Sequence, residues 1–365
     1  MNKVIMILTN RYDPDVRVYK EAKYLIENGF DVEILCWDRE SHYPSKEITI
    51  EDGIKIKRFY PSAKYGSGIK QAAAYFRFIQ EVKKYLSNKN FDYIHCHDLD
   101  GALVGSMMKK NNVKLIFDMH EYYEVQGSKQ KVRRIIRSIV SRIQTKFDFI
   151  IYVNSEQIKN IKKINLSKLI YLPNYPEVKN YQGFSKDDSQ FLRVSYIGAV
   201  RQYNELKNLI EASKGSNNIE VAIHGEGIAY KRLREIAKDI ENVNVTGVFK
   251  HHQAGYLFNE CDVLYAVYPI HTLQNRIAYP VKFFEAIASK TPIIVSKGTV
   301  LEKEVIKYDI GFVVDGKNVK EIKELLIYIQ NNKSILMDKI SNIEKIQSDF
   351  QWKTIVKNLD KIYSM

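Results

Sequence analysis

Residues 279–296, YPVKFFEAIASKTPIIVS, contain a helix and a buried strand in a form that recurs along this chain. Pro280 suits the first turn of a helix, where its missing N–H would have had no partner. The residues from Lys282 to Ala288 follow on that helix, which ends before Pro292. The apolar run after Pro292 is typical of a strand that is covered on both faces. The segment therefore predicts one helix–strand unit of a parallel sheet.

Short apolar runs of this kind alternate with helical patterns along the whole chain. The runs lie at residues 4–8, 31–37, 93–97, 114–119, 149–153, 193–198, 220–225, 243–247, 262–268, 292–296 and 311–315. Strands that alternate with helices form parallel sheets with helices on both faces. Because eleven strands exceed what one such sheet usually holds, we predict an α/β protein with two Rossmann-like, doubly wound parallel-sheet domains.

A polar segment near the middle of the chain, residues 174–190, contains proline and glycine and has no strong period, as is typical of a linker. We therefore predict an N-terminal domain over residues 1–175, a linker over 176–190 and a C-terminal domain over 191–345. Ligands of doubly wound sheets bind outside the carboxyl ends of the strands. A cleft between two facing domains is the expected ligand site.

The charge of the chain is positive and unevenly distributed. The net charge is +13, and residues 1–175 carry 30 Lys and Arg against 20 Asp and Glu, or +10. A basic half favours a polyanionic partner, such as a membrane surface, a phosphorylated substrate or nucleic acid. A generally lysine-rich proteome would give the same composition.

The cysteines and the N-terminus favour a reducing compartment. Cys36, Cys96 and Cys261 lie far apart in apolar runs, so neither a disulfide framework nor a metal site is predicted. The first residues, MNKVIMILTN, are typical of a buried strand, not of a signal peptide. No stretch approaches the roughly 18 apolar residues of a membrane span. We expect a cytoplasmic protein, or one attached to a membrane face.

Glycine-rich phosphate loops are absent from the sequence in their common forms. The nearest segment is HGEGIAY, residues 224–230, which has two of the three glycines of a dinucleotide-binding loop. A dinucleotide oxidoreductase is therefore poorly supported. Gly225 and Gly227 allow close approach of a ligand, although a plain tight turn explains them equally well.

Lys282 and Glu285 are the chemically suggestive pair on the helix that follows Pro280. A helix N-terminus with a nearby lysine suits a diphosphate. A carboxylate one turn further along can accept hydrogen bonds from two ribose hydroxyls. An exposed ion pair at this spacing is the alternative interpretation.

Asp98 and Asp100 form a DxD pattern, which can hold a divalent metal under a sugar diphosphate in other folds. Here the pattern follows a strand of the first domain, away from the predicted diphosphate site. We expect Asp100 to cap the next helix and predict no metal site.

The segments described above resemble glycosyltransferase family 4 and its relatives of the GT-B fold. Residues 279–296 are similar to the family signature P-x-K-x-x-E-x-x-A-x-G-x-P-[IV]-[IV]. Other similar segments lie at residues 13–35, 91–105, 114–124, 171–177 and 196–212. The resemblance implies two Rossmann-like domains that face each other across a cleft, with the last helix, residues 346–365, packing back on the first domain.

The resemblance also implies roles for individual residues. The catalytic residues would be His120, near the donor sugar, and Arg201 and Lys282, on the donor diphosphate. Glu285 would bind the ribose. The full set of nucleotide- and donor-binding residues would be Gly198, Gly225, Gly227, Val248, Phe249, Lys250, Asn275, Tyr279, Phe284 and Glu285. Acceptor or cleft residues would be Asp13, Arg17, His97, Asp98 and Glu121.

Four features depart from the family pattern. Lys290 and Thr291 stand where the family has a glycine before its proline, and NRYDPDVR, residues 10–17, replaces a glycine pair of the first loop.

The other two departures concern the donor. The family's first glutamate, eight positions before Glu285, is Ile277 here, and the lysine after the family arginine is Asn204. Contacts to the donor sugar would then be absent or would come from neighbours such as Asn275, Arg276 or Tyr279.

The resemblance implies a hexosyltransferase-type enzyme that moves a sugar from a nucleoside diphosphate sugar to a hydroxyl. The acceptor would be a glycan, a lipid or a lipid-linked sugar in cell-surface polysaccharide or glycoconjugate synthesis. We expect a UDP-sugar rather than a GDP-sugar, retention of configuration, no metal and no nucleic-acid partner. The alternatives are a nucleotide-sugar epimerase of the same fold and a non-catalytic nucleotide-sugar-binding subunit.

Residues 129–146, KQKVRRIIRSIVSRIQTK, form a basic amphipathic pattern. We expect the apolar stripe to pack on the sheet and the basic face, with Arg133, Arg134 and Arg137, to meet anionic lipid at the inner face of the membrane. The predicted helix at residues 68–86 would add to that surface.

Overall fold

The structure is a computed structural model of the chain. It describes residues 1–13, 15–43, 47–64, 69–123, 130–159, 161, 163–183, 189–250 and 253–363. Four parts of predicted elements lie outside these ranges. They are Gly68 and Lys129, which begin two predicted helices, residues 184–188 of the predicted linker and the last two residues of the chain.

The chain forms two compact units. The first contains residues 1–173 and 356–365, and the second contains residues 174–355. Described residues of the predicted linker belong to the second unit, where the ring of Tyr181 packs edge-on against Phe258 at 5.5 Å. Of the predicted returning helix at 346–365, only the part from residue 356 onward belongs to the first unit.

The first unit is built on one eight-stranded sheet. Its strands are β1 (Lys3–Ile7), β2 (Asp31–Trp37), β3 (Thr49–Glu51), β4 (Ile54–Phe59), β5 (Tyr93–His97), β6 (Lys114–Met119), β7 (Phe149–Tyr152) and β8 (Leu169–Tyr171). The order is β3-β4-β2-β1-β5-β6-β7-β8, and among these pairs only β3–β4 is antiparallel. The six central strands, in the spatial order β4-β2-β1-β5-β6-β7, thus follow the 3-2-1-4-5-6 order of a Rossmann sheet.

The five runs predicted for this half are strands, and three further strands were not predicted. Of these, β4 reads IKIKRF, with Ile54 and Ile56 buried and Lys55 and Lys57 partly exposed between them. Alternation of this kind marks a half-buried strand and differs from the continuous runs on which the prediction relied.

Helices flank the first sheet. They are α1 (Val16–Glu27), α2 (Ile69–Leu86), α3 (Asp98–Ser106), α4 (Gln130–Lys146), α5 (Ser155–Ile158) and, from the end of the chain, α15 (Asp360–Tyr363). The carboxylate of Asp15 caps α1 by accepting from the backbone N–H groups of Arg17 and Val18. The cap fixes the start of α1, on which Arg17 and Glu21 are buried one turn apart.

The second unit contains a six-stranded sheet in the order β11-β10-β9-β12-β13-β14, with all described pairs parallel. Its strands are β9 (Leu192–Ile197), β10 (Ile219–His224), β11 (Val243–Gly247), β12 (Val263–Ala266), β13 (Ile293–Ser296) and β14 (Gly311–Val314). Each corresponds to a predicted run, and the order is again that of a Rossmann sheet. The prediction of two doubly wound parallel sheets is confirmed.

Nine helices of the second unit lie within the described ranges. They are α6 (Tyr203–Ser213), α7 (Tyr230–Ala237), α8 (Ala254–Asn259), α9 (Leu273–Ile277), α10 (Val281–Ala288), α11 (Val300–Tyr308), α12 (Val319–Asn331), α13 (Ser334–Ile346) and α14 (Trp352–Ile355). Helix α10 begins directly after Pro280, as predicted. No helix in the described part of the chain is both long and apolar enough to cross a bilayer.

Candidate functional site

Two glycines bring neighbouring loops into contact at the carboxyl edge of the second sheet. Gly198 follows β9 and Gly225 follows β10, each with φ +128°. A Cβ on Gly225 would lie 2.0 Å from the carbonyl oxygen of Gly198, which backbone atoms cannot tolerate. Only glycine suits this conformation and this approach, so the two loops are held together by their backbones.

Lys282 lies directly over this glycine contact. A Cβ on Gly198 would be 2.6 Å from the Nζ atom of Lys282. The same Nζ lies 4.6 Å from the ring centroid of Tyr196, at the end of β9, in a cation–π geometry. Lys282 is in the first turn of α10, whose N-cap residue Pro280 makes no side-chain cap. The N-terminal N–H groups of α10 and the ammonium of Lys282 therefore form one electropositive site.

The environment of Lys282 makes its charge sensitive to pH. Burial, reinforced by the charge of Arg201, lowers the pKa of Lys282 to about 8, although Glu285 opposes the shift. An anion bound beside Lys282 would stabilise its ammonium form and so raise its pKa.

Arg201 follows β9 on an exposed loop. Within the described ranges its guanidinium has no hydrogen-bond or ion-pair partner, while its charge acts on both Lys282 and Tyr196. A planar guanidinium of this kind can bind a phosphate in a bidentate manner. Arg201 and Lys282 are thus two cations that share one environment.

Glu285 lies one turn after Lys282 on α10. Its Oε1 atom accepts a hydrogen bond of 2.8 Å from the hydroxyl of Tyr181, a contact that sequence reasoning did not find. Burial and the charge of Glu285 raise the pKa of Tyr181, so this hydroxyl stays a donor. The second carboxylate oxygen of Glu285 has no hydrogen-bond partner in the described structure. We call Gly198, Gly225, Arg201, Lys282 and Glu285 the lysine site.

Other predicted donor residues have partners of their own. The amide of Asn275 donates to the carbonyl oxygen of Pro269 at 2.8 Å, and the hydroxyl of Tyr279 donates to Glu304 at 2.7 Å. Val248 and Lys250 are exposed after β11, whereas Phe249 is partly buried. Gly227 packs against the backbone of Val200.

Phe284 requires a correction. Its side chain is 4% exposed and packs among Tyr175, Tyr279, Phe283 and Phe350. A ring enclosed in this way cannot stack on a nucleotide, so Phe284 is a core residue that fixes α10.

The first unit holds a row of buried charges behind the carboxyl ends of β5 and β6. Arg17 donates to both oxygens of Asp118 at 2.8 Å and to the carbonyl oxygen of Leu172 at 2.9 Å. Asp118 is on β6 and is fully buried. Burial alone would raise the pKa of Asp118, but the charges of Arg17 and His120 hold it well below its usual range.

His120 is bonded at both ring nitrogens. Its Nε2 atom lies 2.9 Å from Asp118 Oδ2 and its Nδ1 atom lies 3.3 Å from Asp98 Oδ2. Burial would lower the pKa of His120, but the two carboxylates outweigh it and hold the pKa well above its ordinary value. This environment favours the imidazolium form of His120, in which both N–H groups face carboxylates. In this form His120 can supply positive charge, but it cannot accept a proton.

Asp98 has an unusual backbone. Its φ is +60°, which is uncommon for a residue other than glycine, although Asp adopts it more readily than most. Its Oδ1 accepts from the hydroxyl of Tyr123 at 2.7 Å, and its side chain is 44% exposed. The residue therefore joins the buried row to solvent. We call Arg17, Asp118, His120 and Asp98 the histidine row.

The remaining predicted residues of the first unit differ in placement. His97 is buried, with Nδ1 3.3 Å from Asp118 Oδ2. Asp13 lies on an exposed loop and binds Arg11 and Tyr43, and Glu121 is exposed. Asp100 does not cap α3 as predicted, because the helix begins at Asp98 and its N-cap residue, His97, makes no side-chain cap.

Four buried residues have the donor types of a metal site: Glu21, His95, His97 and Asp118. The guanidinium of Arg17, however, lies 3.0 Å from Glu21 and 2.8 Å from Asp118. Arg17 thus already supplies the positive charge that these carboxylates require, and a divalent ion beside it would be repelled. The structure argues for an ion-pair cluster here.

Helix α4 is less buried than predicted. Val140 and Ile143 are buried, but Val132, Ile135 and Ile139 are 43%, 60% and 40% exposed. The basic residues Arg133, Arg134 and Arg137 are exposed beside them. Val140 and Ile143, with the partly buried Ile136, pack into the core of the first unit, so the rest of the stripe presents apolar side chains beside basic ones.

Comparisons with known proteins address the family. The family described as "Glycosyltransferase Family 4" matches residues 15–174, and the family described as "Glycosyl transferases group 1" matches residues 176–346. No curated protein matches the chain closely enough in sequence to count as a relative.

Solved structures share the fold along the whole chain. A sucrose-phosphate synthase from Thermosynechococcus elongatus is 15% identical with a TM-score of 0.81, covering 100% of this chain and 98% of that one. HepE from Anabaena, solved with UDP and glucose, is 13% identical with a TM-score of 0.72 and full coverage of both chains (100% and 100%). WaaG, a glycosyltransferase involved in lipopolysaccharide biosynthesis, is 13% identical with a TM-score of 0.69, covering 98% and 99%.

At these identities the structural likeness shows the fold, and the sequence matches show the family. The two family matches run from residue 15 to residue 346 and meet between the two units of the chain. This chain is therefore a glycosyltransferase of the GT-B fold, and it belongs with the family 4-like enzymes of that group.

Proposed function

We propose that this enzyme transfers a hexose from a UDP-sugar to a hydroxyl of a glycan, a lipid or a lipid-linked sugar. The lysine site carries the proposal, because two cations and a helix N-terminus lie close to a tight contact between two glycine loops. HepE, which shares the fold, was solved with UDP and with UDP-glucose. That likeness favours uracil over guanine as the base.

In this proposal the diphosphate binds at the N-terminus of α10, between Lys282 and Arg201. Glu285 binds the ribose hydroxyls through the oxygen that Tyr181 leaves open. The loops that contain Gly225 and Val248 frame the base. Ile277 replaces the family's first glutamate, so contacts to the sugar come from other residues, and Arg276 and Asn275 are the nearest polar candidates along the chain.

The histidine row supports a mechanism without a protein base at the acceptor. The two carboxylates beside His120 hold its pKa well above the ordinary value, and the charge and hydrogen bond of His120, with that of Tyr123, hold the pKa of Asp98 below its usual range although burial opposes this. Neither group takes up a proton readily at neutral pH. We infer that the leaving diphosphate accepts the proton of the attacking hydroxyl, with retention of configuration. Lys282 and Arg201 stabilise the departing charge, which requires no metal.

We also propose that the enzyme works at the inner, cytoplasmic face of the cell membrane, where a lipid-linked acceptor would be found. The exposed part of α4 supports this, because exposed Ile135 and Ile139 lie beside exposed arginines. Apolar side chains flanked by basic ones suit the interface of an anionic bilayer.

The direct test is to incubate the enzyme with UDP-glucose and other UDP-sugars, with and without glycan and lipid-linked acceptors. We expect UDP release that depends on an acceptor, a product with the donor's anomeric configuration and no loss of rate with EDTA. Conversion of the donor sugar without any acceptor would indicate an epimerase. Binding of UDP with no turnover, even to hydrolysis, would indicate a binding subunit.

A further inference from the structure

The ring of Tyr196 lies under one of the two cations of the lysine site. Tyr196 is on β9, and its side chain is fully buried. The ammonium of Lys282 lies 4.6 Å from the ring centroid, and within the described ranges it makes no hydrogen bond and no ion pair. A cation removed from water is attracted to the negative face of an aromatic ring. The ring therefore stabilises this ammonium directly, whereas Glu285 acts on it from beyond ion-pair distance.

The hydroxyl of the same side chain contacts the loop that carries the other cation. It lies 2.6 Å from the carbonyl oxygen of Ala199 and 2.9 Å from the Oε1 atom of Gln202. The hydroxyl has one proton, which it can donate to either acceptor. Ala199 precedes Arg201 in the chain, and Gln202 follows it directly. A hydrogen bond from Tyr196 to either acceptor therefore restrains the loop beside Arg201.

A backbone hydrogen bond fixes the loop just before this arginine. The N–H group of Val200 donates to the carbonyl oxygen of Glu226, in the neighbouring loop, at 2.9 Å. The guanidinium of Arg201 has no partner within the described ranges, so its place depends on how the backbone around it is held. The hydroxyl of Tyr196 adds a restraint on the far side of Arg201, at Gln202.

We propose that Tyr196 is a positioning residue for the donor diphosphate, because its ring holds the ammonium of Lys282 and its hydroxyl holds the loop of Arg201. One buried side chain then keeps together two cations that would otherwise repel each other. Since this order exists before the donor binds, less entropy is lost when the diphosphate is bound. The inference rests on the proposed diphosphate site, and Tyr196 acts through the two cations without touching the donor.

The ring is tested by weakening its negative face while nearly keeping its shape. Tyr196→Phe keeps a ring under Lys282, and a trifluorinated phenylalanine at the same position has a less negative face. We expect the pKa of Lys282, measured by NMR without ligand, to be lower by roughly half a pH unit to one pH unit in the fluorinated variant. Burial and Arg201 already lower this pKa, with Glu285 opposing them, and both charged residues are the same in the two variants. Equal Lys282 titrations in the two variants would overturn the role of the ring.

The hydroxyl is tested by comparing Tyr196→Phe with the wild type. We expect UDP to bind roughly three- to tenfold more weakly, the effect of one buried hydrogen bond. This loss should disappear when both proteins also carry Arg201→Ala, because the hydroxyl acts through that arginine. Calorimetry measures the four affinities. A loss of the same size with and without Arg201 would overturn the role of the hydroxyl.

Tyr265 provides the matched control. It is fully buried on β12, which pairs with β9, and it lies in the same hydrophobic core as Tyr196. Its hydroxyl also donates to a backbone carbonyl oxygen, that of Glu205, at 3.4 Å. No cation lies over its ring in the part of the chain that the structure describes. The same two replacements at Tyr265 should leave the UDP affinity and the Lys282 titration at wild-type values, and equal effects at both positions would contradict the proposal.

The two measurements separate this proposal from the proposed function. If the wild type does not bind UDP, the diphosphate site fails, and the titration of Lys282 without ligand still decides whether the ring of Tyr196 holds the ammonium. If the wild type binds UDP and the Tyr196 variants match it in both affinity and Lys282 titration, the diphosphate site stands and Tyr196 has no positioning role.

Discussion

At the scale of single residues, the ammonium group of Lys282 occupies the space above Gly198. We expect Gly198→Ala to weaken UDP binding at least about tenfold, because the new Cβ would displace Nζ from its place 2.6 Å away. Gly215→Ala is the control, since Gly215 also has a positive φ, +73°, but has no atom within 4 Å of the new Cβ. Calorimetry with UDP compares the two, and equal affinities would argue against the lysine site.

The lowered pKa of Lys282, about 8, makes UDP binding depend on pH. Such a lysine is about 90% charged at pH 7 and about 10% charged at pH 9. A bound diphosphate favours the charged form, so the affinity for UDP should fall as the pH rises through 8. Lys282→Met should bind UDP weakly and lose this part of the pH dependence. A wild-type affinity that stays constant from pH 7 to 9 would contradict the prediction.

Asp118 holds two cations in the interior of the first unit. We expect Asp118→Asn to lower the free energy of unfolding by about 3–5 kcal/mol, because it removes the buried carboxylate that pairs with both Arg17 and His120. Asp262→Asn, in a partly exposed pair with Arg193, should cost much less. Urea denaturation at neutral pH measures both.

The pH dependence of that loss has a definite sign. Because the pKa of Asp118 is depressed in the folded state, its stabilisation is present above the unfolded value of about 3.9. It is lost as the pH falls through the folded value. The difference between wild type and Asp118→Asn should therefore shrink in acid, and a constant difference would contradict the role given to this charge.

At the scale of elements, membrane binding by the exposed basic and apolar side chains of α4 can be tested without measuring glycosyl transfer. Reversal of Arg133, Arg134 and Arg137 to Glu should abolish flotation with anionic liposomes, since each basic residue contributes about 1 kcal/mol near such a surface. The control reverses Lys317, Lys320 and Lys323, which are exposed at and near the start of α12. Flotation unaffected by the α4 changes would remove the membrane proposal.

Local patterns were enough to predict most elements. Pro280 and Pro292 bracket α10 and β13 closely, because proline acts on its own neighbours. Strand β4 was not predicted, since two partly exposed lysines interrupt its apolar residues. The expected cap at Asp100 was wrong, because the chain enters α3 through the strained backbone of Asp98 instead.

At the scale of the whole molecule, the sequence predicted the residues of the candidate site better than their contacts. Lys282, Arg201 and Glu285 were named from a motif, and the structure places them in one environment. The pairing of Arg17 with Asp118 could not be predicted, since the two residues are 101 apart in the sequence. His95 and Tyr363 are 268 apart, and only the closed fold brings them together. Polar residues such as Glu21 within an apolar pattern were the one available signal.

The central claim is that the second unit binds the diphosphate of a UDP-sugar through Lys282 and Arg201. Calorimetric titration of UDP into the wild type, Lys282→Ala and Arg201→Ala measures this directly. We expect the wild type to bind UDP and each variant to bind at least about tenfold more weakly, which corresponds to about 1.4 kcal/mol. Transfer rates should fall to the same extent. Wild-type affinity for UDP in both variants would contradict the account.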